Sequence, residues 1–261
     1  MQGLQVKREG ADGAVLRVVL DSPETLNSVD EEVLRTAAEA IEGAVAGGAR
    51  VVVLTGAGRA FCSGANISGG ASAATGSAVD TSVIEAANRL VTAITATPVP
   101  VVCGLNGLAA GVGVSIALAC DLVVADEAAY YLLAFSKIGL MPDGGATALV
   151  AASLGRHRAL RLALLAERLD VRTAEAVGLV STIVPTDRFE DELAATAWRL
   201  AAAPTAALAQ TKAAVNAASL PGLADALERE LVGQQALLAG PDFAEGIAAF
   251  AAKRPPAFTG R

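Results

Sequence analysis

The chain is predicted to fold as an α/β layered domain with mostly parallel strands, on three observations. Short β-branched or apolar runs recur along it, each bounded by turn residues. Helical patterns separate these runs, giving repeated β-then-α units. One run, Val51-Val52-Val53-Leu54, is apolar without alternation, as expected of a strand buried on both faces.

The elements follow in order. Val15 to Leu20 reads as a strand closed by Asp21-Ser22-Pro23. Ser28 or Asp30 caps a helix running to Val45, with Val33, Ala37, Ala40, Ile41 and Ala44 on one face and Gly47-Gly48 ending it. After the strand at 51–54, Thr55 to Gly70 is a Gly/Ser/Ala loop that Ala71 to Ala78 continues with small residues. A helix is expected over Thr81 to Ala96. Val99 to Cys120 is apolar enough to span a bilayer, yet glycines at 104, 107, 111 and 113 interrupt it. Strand, glycine turn and buried helix fit that pattern better, so it is read as soluble core.

Leu122 to Ala125 and Tyr130 to Phe135 are further strand candidates. Pro142-Asp143-Gly144-Gly145 is a sharp turn into a helix reaching Leu154. Helices over 156–167 and 173–178 and a strand over Leu179–Val184 complete the alternating part. Beyond Ala201-Ala202-Ala203-Pro204 only helical pattern remains, with Leu223, Leu227 and Leu231 at four-residue spacing and then Phe243, Ile247 and Phe250. These stripes are expected to cover the active-site face or another subunit, or else to pack back onto their own domain.

Composition removes several function classes. With 20 Lys+Arg against 27 Asp+Glu the net charge is −7, which disfavours nucleic acid and anionic membranes as partners. Aromatic residues make up 3% of the chain, too few for a base-stacking platform. Cys62, Cys103 and Cys120 are odd in number and widely spaced, which fits a reducing, cytoplasmic compartment and no disulfide framework. His157 is the only histidine, so a multi-histidine metal centre is excluded and no metal is expected. Met1 to Gly13 lacks the apolar core of an export signal.

Two familiar motifs fail on inspection. Thr55-Gly56-Ala57-Gly58 begins like a dinucleotide fingerprint, but Phe61 stands where the third glycine belongs. Gly111-Val112-Gly113 fails in the same way at Ile116. Ser115 sits in an imperfect nucleophile elbow whose last position is Ala117, and its only possible histidine lies in the basic cluster Arg156-His157-Arg158. His157 is better read as a solvated helix-surface residue.

Taken together, the two glycine-rich loops carry a stronger signal. Arg59-Ala60-Phe61-Cys62-Ser63-Gly64-Ala65-Asn66-Ile67 and Asn106-Gly107-Leu108-Ala109-Ala110-Gly111-Val112-Gly113 resemble the enoyl-CoA hydratase/isomerase (crotonase) superfamily. The similarity extends through Ala119-Cys120-Asp121, Lys137 to Pro142, Ala174 to Val180 and the closing Glu245 to Pro255, so it covers nearly the whole chain in order. It implies a crotonase-like spiral of ββα units over 1–195, with a C-terminal α-helical oligomerisation region over 196–261 that forms homotrimers or hexamers. It also implies an acyl-CoA thioester substrate and no separate cofactor, CoA arriving as part of the substrate.

In that family two backbone N–H groups hold the thioester oxygen as its enolate forms. By motif position these are those of Ala65 and Val112. A helix starting near Gly111 would aim free N–H groups and its positive end at that oxygen. Glycines at 64, 111 and 113 would let the backbone approach closely. The resemblance further assigns Ala60, Phe61, Gly64, Ile67, Gly111, Ser115 and Phe135 to substrate binding. Phe250 and Lys253 would hold the adenosine end, often from a neighbouring subunit.

The chain departs from the family where hydration needs two glutamates. Ser115 and Phe135 occupy those positions, and neither is a general base at neutral pH. Asp143 then becomes the candidate acid/base, because one carboxylate suffices to move a proton from the γ-carbon to the α-carbon of a held enolate. The same place, after Pro142 and before two glycines, also suits a helix N-cap. Asp80 and Glu85 are alternative carboxylates whose simpler reading is capping and solvated surface. Asn66 replaces the usual aspartate, and Glu24 stands where many relatives carry lysine near the CoA phosphates. The expected function is double-bond isomerisation of an enoyl-CoA. Hydration by other carboxylates and a non-catalytic acyl-CoA binding protein are the alternatives.

Overall fold

A computed structural model describes residues 3–10, 12–67 and 79–260. The small-residue stretch 71–78 and the end of the loop before it lie outside the described residues. The strands are β1 (Gly3–Glu9), β2 (Val15–Asp21), β3 (Val51–Gly56), β4 (Ala60–Cys62), β5 (Val101–Leu105), β6 (Leu108–Ala110), β7 (Leu122–Asp126), β8 (Tyr130–Leu132), β9 (Leu169–Asp170) and β10 (Thr182–Val184). The helices are α1 (Glu31–Glu42), α2 (Ser82–Ala96), α3 (Val112–Ala119), α4 (Ala146–Leu154), α5 (Arg156–Leu165), α6 (Val171–Ala176), α7 (Phe189–Ala201), α8 (Thr205–Ser219), α9 (Leu223–Leu238) and α10 (Pro241–Ala251).

Two sheets alternate along the chain. Six strands form the larger in the order β1-β2-β3-β5-β7-β10, and four form the smaller in the order β4-β6-β8-β9. All pairings are parallel except β1 with β2 and β8 with β9. Each turn of the spiral is therefore a long strand, a short strand and a helix: β3-β4-α2, β5-β6-α3 and β7-β8-α4. This is the ββα spiral that the resemblance implied.

The inner strands of the larger sheet are buried on both faces. Val52 and Leu54 point into the main core with α1, α2 and α3. Their neighbours Val51 and Val53 pack in a second core with Phe189, Leu193 and Ala197 of α7. That explains why the run at 51–54 shows no alternation. α7 runs unbroken through positions 195 and 196, and the chain leaves the sheet only after Ala201.

Several boundaries differ from the sequence reading. β1 was not anticipated; it pairs along its full length with β2. β4 and β6 are three-residue strands inside the glycine-rich loops, too short to carry a period of their own. α1 is capped by Asp30, whose side chain accepts from Val33 N at 2.9 Å, but it ends at Glu42 rather than Val45. There a tighter bond from Ala44 N to Ile41 O closes the last turn. The strand expected over Tyr130–Phe135 stops at Leu132 and gives way to a 3₁₀ turn over Ala134–Ile138. That over Leu179–Val184 is reduced to β10, and the helix expected over 173–178 is α6, starting at Val171 behind its Asp170 cap.

The apolar stretch 99–120 is β5, β6 and α3, all inside the protein. Among the described residues no helix is long and apolar enough to cross a membrane. In the helical tail, α9 packs against α4 and α2, and α10 packs against the turn at Ala134–Ile138. These two helices thus fold back over the region that follows β8. α8 buries none of its residues within the single chain, and Lys212 ties it down by an ion pair with Asp121 at 2.8 Å.

Candidate active site

The site is built from two loops that meet back to back. Residues 25–29 fold over the loop after β4: Ser63 N donates to Leu26 O, and Ser63 Oγ donates to Thr25 O. Ala65 then forms an isolated parallel bridge with Val29, using Gly64 O and Asn66 N. In a parallel bridge the central residue's own N–H points to the other side. The N–H of Ala65 is therefore turned away from Val29.

Gly64, the residue before Ala65, packs against Gly111. A Cβ added at Gly64 would come within 3.2 Å of Ala110 O, and one added at Gly111 within 3.6 Å of Gly64 Cα. The two backbones abut, and both glycines have positive φ, +101° and +53°. Gly111 is the N-cap of α3, so Val112 opens the helix with an N–H that has no intrahelical acceptor. Gly111 has no side chain with which to cap it. An uncapped helix N-terminus of this kind suits an anion.

Two asparagines brace this frame. Asn27 donates from Nδ2 to Ala57 O and Ala60 O at 2.8 and 2.7 Å, and Asn106 donates from Nδ2 to Gly58 O and Ala60 O at 2.9 and 3.0 Å. Asn27 escaped the sequence reading. The available signal was an asparagine, a residue tolerant of the positive φ (56°) it adopts, placed just after Ser22-Pro23.

Asp143 lies beside the start of α3. A Cβ at the following Gly144 would sit 3.1 Å from Val112 Cγ2 and 3.1 Å from Ser115 Cβ. Asp143 is 7% exposed, so it does not face bulk solvent. Nor does it cap α4. The cap position is Gly145, and the N–H groups of Gly145 and Thr147 donate to Glu230 of α9 at 2.6 and 2.8 Å. The capping alternative for Asp143 is thereby removed: a carboxylate 85 residues downstream does that work.

The Asp143 side chain accepts instead from Gln234 Nε2, at 2.7 Å on Oδ2. Burial pushes its carboxyl up to about 7; the Gln234 hydrogen bond pulls down and the charge of nearby Glu230 pushes up. Glu230 is also raised by burial, against the donors from Thr147 and Gly145. Sequence reasoning missed both Glu230 and Gln234. Neither stands near a motif, and only the apolar spacing of Leu223, Leu227 and Leu231 marked their helix as one that packs inward.

The other expected site residues divide sharply. Ile67 is half-buried at the edge of the undescribed segment, and Phe135 is buried with its ring 3.8 Å from where a Gly111 Cβ would be. The side chains of Ala60, Phe61 and Ser115 are buried, being 1%, 0% and 0% exposed. Ala60 and Phe61 belong to β4, wedged between sheets, and the Ser115 hydroxyl donates to Asp143 O at 2.6 Å. Phe250 and Lys253 are exposed at the end of α10, uncovered by the single chain. His157 is exposed on α5, away from Ser115's partner, and burial pushes the Cys62 thiol up to about 12. Neither is a nucleophilic arrangement. Asp80 and Glu85 are exposed and bond to Ser82 N and Thr81 Oγ1 at the start of α2, their simpler reading. Among the described residues no cluster of His, Cys, Asp and Glu could hold a metal ion.

Comparison with known proteins decides the family. The profile described as enoyl-CoA hydratase/isomerase matches residues 10–261. The chain belongs to the enoyl-CoA hydratase/isomerase family. It is 40% identical over 256 residues to a Rhodobacter capsulatus protein named "Probable enoyl-CoA hydratase", covering 98% of each chain. It is 38% identical over 250 residues to the 1,2-epoxyphenylacetyl-CoA isomerase of Escherichia coli, covering 95% of each. A solved enoyl-CoA hydratase from Mycobacterium avium subsp. paratuberculosis matches with a TM-score of 0.90 and 48% identity over 99% of both chains. The protein is thus an enzyme of the crotonase family, whose members act on acyl-CoA thioesters.

Proposed function

We propose that the enzyme shifts the double bond of an enoyl-CoA thioester. The N–H groups of Ala65 and Val112 hold the thioester oxygen as it gains negative charge, and Asp143 carries the proton between the α- and γ-carbons. In the direction 3-enoyl to 2-enoyl, the Asp143 carboxylate takes the α-proton, electrons pass into the thioester as a dienolate, and the same carboxyl returns the proton at the γ-carbon. The substrate gains and loses one proton, so no co-reactant is needed. CoA enters as part of the substrate, and the helical tail assembles the chain into trimers or hexamers.

One observation carries the reading: a single buried carboxyl at Asp143, relieved of capping and titrating near neutrality, with Ser115 and Phe135 in the places of a water-activating pair. A base poised close to working pH exists in both forms it needs. Glu230 does not serve as a second water-activating acid, because it is 1% exposed and bonded to Gly145 and Thr147. The name of the Escherichia coli relative favours a second substrate class for the same parts, an epoxide of an aryl acyl-CoA.

The test is incubation with 3-hexenoyl-CoA, 2-hexenoyl-CoA and 1,2-epoxyphenylacetyl-CoA in deuterated water. Conversion of the first to its conjugated isomer, lost in Asp143→Asn, is the expected result. Water addition to the second that survives Asp143→Asn would overturn the assignment. Thioester binding with neither double-bond movement nor water addition would identify a non-catalytic binder.

A further inference from the structure

We propose that Gln234 and Glu230 of α9 are positioning residues for the proton-transfer acid. Gln234 fixes the rotation of the Asp143 carboxyl so that Oδ1 is the oxygen offered to substrate, and Glu230 anchors the loop beneath it. The inference rests on the reading of Asp143 as the acid, and adds the groups that set its direction and its proton occupancy.

The geometry runs as a clamp with two jaws one helical turn apart on α9. At the first jaw Glu230 takes the N–H groups of Gly145 and Thr147 and the hydroxyl of Thr147. At the second, Gln234 Oε1 accepts from Met141 N at 3.3 Å while its Nε2 donates to Asp143 Oδ2. The Met141 contact sets the orientation of the amide, since a flipped Gln234 would face an N–H with its own NH2 and a carboxylate with its own oxygen. The segment from 141 to 147 is thus held on both sides of Asp143. Oδ1 takes no hydrogen bond among the described residues and is not sealed from solvent. Ser115 completes the frame by holding the Asp143 main-chain oxygen.

The electrostatic surroundings are equally specific. α3 and α4, which flank the loop, carry no charged residue. On α9, Asp225, Glu228 and Arg229 are exposed, and Arg229 acts on Glu230. On α10, Asp242 and Glu245 are engaged with Thr259, Gly260 and Arg254. Glu230 is the charge that acts on Asp143. Its repulsion favours the protonated acid and the Gln234 donor favours the carboxylate, so removing each should move the titration in opposite directions. A purely structural role for either side chain predicts no such opposition.

The experiment measures the pH dependence of kcat with 3-hexenoyl-CoA in wild type, Gln234→Met, Gln234→Glu and Glu230→Gln. In parallel it follows the carbon-13 carboxyl resonance that Asp143→Asn removes. Gln234→Met keeps volume and loses the donor, and should raise the midpoint by about one pH unit. It should also lower kcat about tenfold or more with KM within about twofold. Gln234→Glu sets a like charge against Asp143 and should raise the midpoint further, which serves should Gln234→Met fail to fold. Glu230→Gln should lower the midpoint. Midpoints unchanged in all variants, or shifts of one common sign, would overturn the inference. An active Asp143→Asn enzyme would instead remove the acid assignment itself, an outcome the Gln234 variants cannot mimic.

Discussion

The proposed cradle for the thioester oxygen and the seat of the proposed acid lie next to each other and are made in opposite ways. The cradle is main chain: amides 65 and 112, set by a bridge to Val29, two positive-φ glycines and the first turn of α3. Its parts come from two short windows of sequence. The proposed acid is one buried side chain whose state α9 adjusts, with Gln234 91 residues away and Glu230 reaching the adjacent helix start. A backbone site tolerates nearly any side chain that leaves the turn intact, whereas the acid depends on the identity of remote residues.

The sharpest way to break the contrast is to give the cradle a side chain. Gly64→Ala would place a methyl 3.2 Å from Ala110 O at a φ of +101°, forcing the two loops apart. Loss of one aligned donor costs about 10²–10³ in kcat. We expect a fall of that order with circular dichroism unchanged, and the loss should be equal at every pH. An activity within about threefold of wild type would remove Ala65 from the mechanism.

The acid, by contrast, should announce itself through pH. Its carboxyl titrates at about 7 in the folded protein against an ordinary 3.8. Below pH about 3 the group is neutral both folded and unfolded, with no effect on stability. Between there and about 7 the unfolded chain releases its proton and the folded chain does not, so stability falls as pH rises; above 7 the deficit is constant. Asp143→Asn keeps the Gln234 contact without the charge. It should therefore be more stable than wild type by roughly 2–4 kcal/mol at pH 8 and about equal at pH 3, by urea denaturation. A constant difference across that range would mean the carboxyl is not held protonated.

This asymmetry also decides how much could be read from the sequence. The inner strands of the larger sheet were legible because both their faces are apolar, as at Val51–Leu54, and the two glycine-rich loops through their resemblance to the family's motifs. β4 and β6 were not, since three residues carry no period. Asp143 was legible as a carboxylate after Pro142, but its role was not. Whether it caps α4 depends on Glu230, and that residue reads from sequence as one more surface charge on an amphipathic helix. At Ser115 the motif supplies the position, and only packing shows that its hydroxyl turns inward to Asp143 O.

Truncating Glu230 tests the remote support directly. Glu230→Ala leaves the N–H groups of Gly145 and Thr147 without their acceptor, and Gly145 is part of a buried bond. Loss of a charged acceptor at a helix start costs about 1–3 kcal/mol. We expect a loss of that size by urea denaturation. A loss under about half a kcal/mol would mean water replaces the cap and the first jaw is dispensable.

The smallest expected effect separates strut from binding surface at Ser115. Its side chain is fully buried, and its one hydrogen bond runs to an oxygen that also accepts from Ala146 N at 3.2 Å. In Ser115→Ala that oxygen therefore stays satisfied, and the change removes a single neutral hydrogen bond and a hydroxyl's volume. Such a loss is worth about 1 kcal/mol. A strut predicts this modest destabilisation with KM for 3-hexenoyl-CoA within about twofold of wild type, because substrate never meets the hydroxyl. A contact residue predicts the reverse, unchanged stability and a KM raised about tenfold. The two measurements on one variant place Ser115 with the acid's seat or with the cradle's substrate face, and the buried hydroxyl argues for the seat.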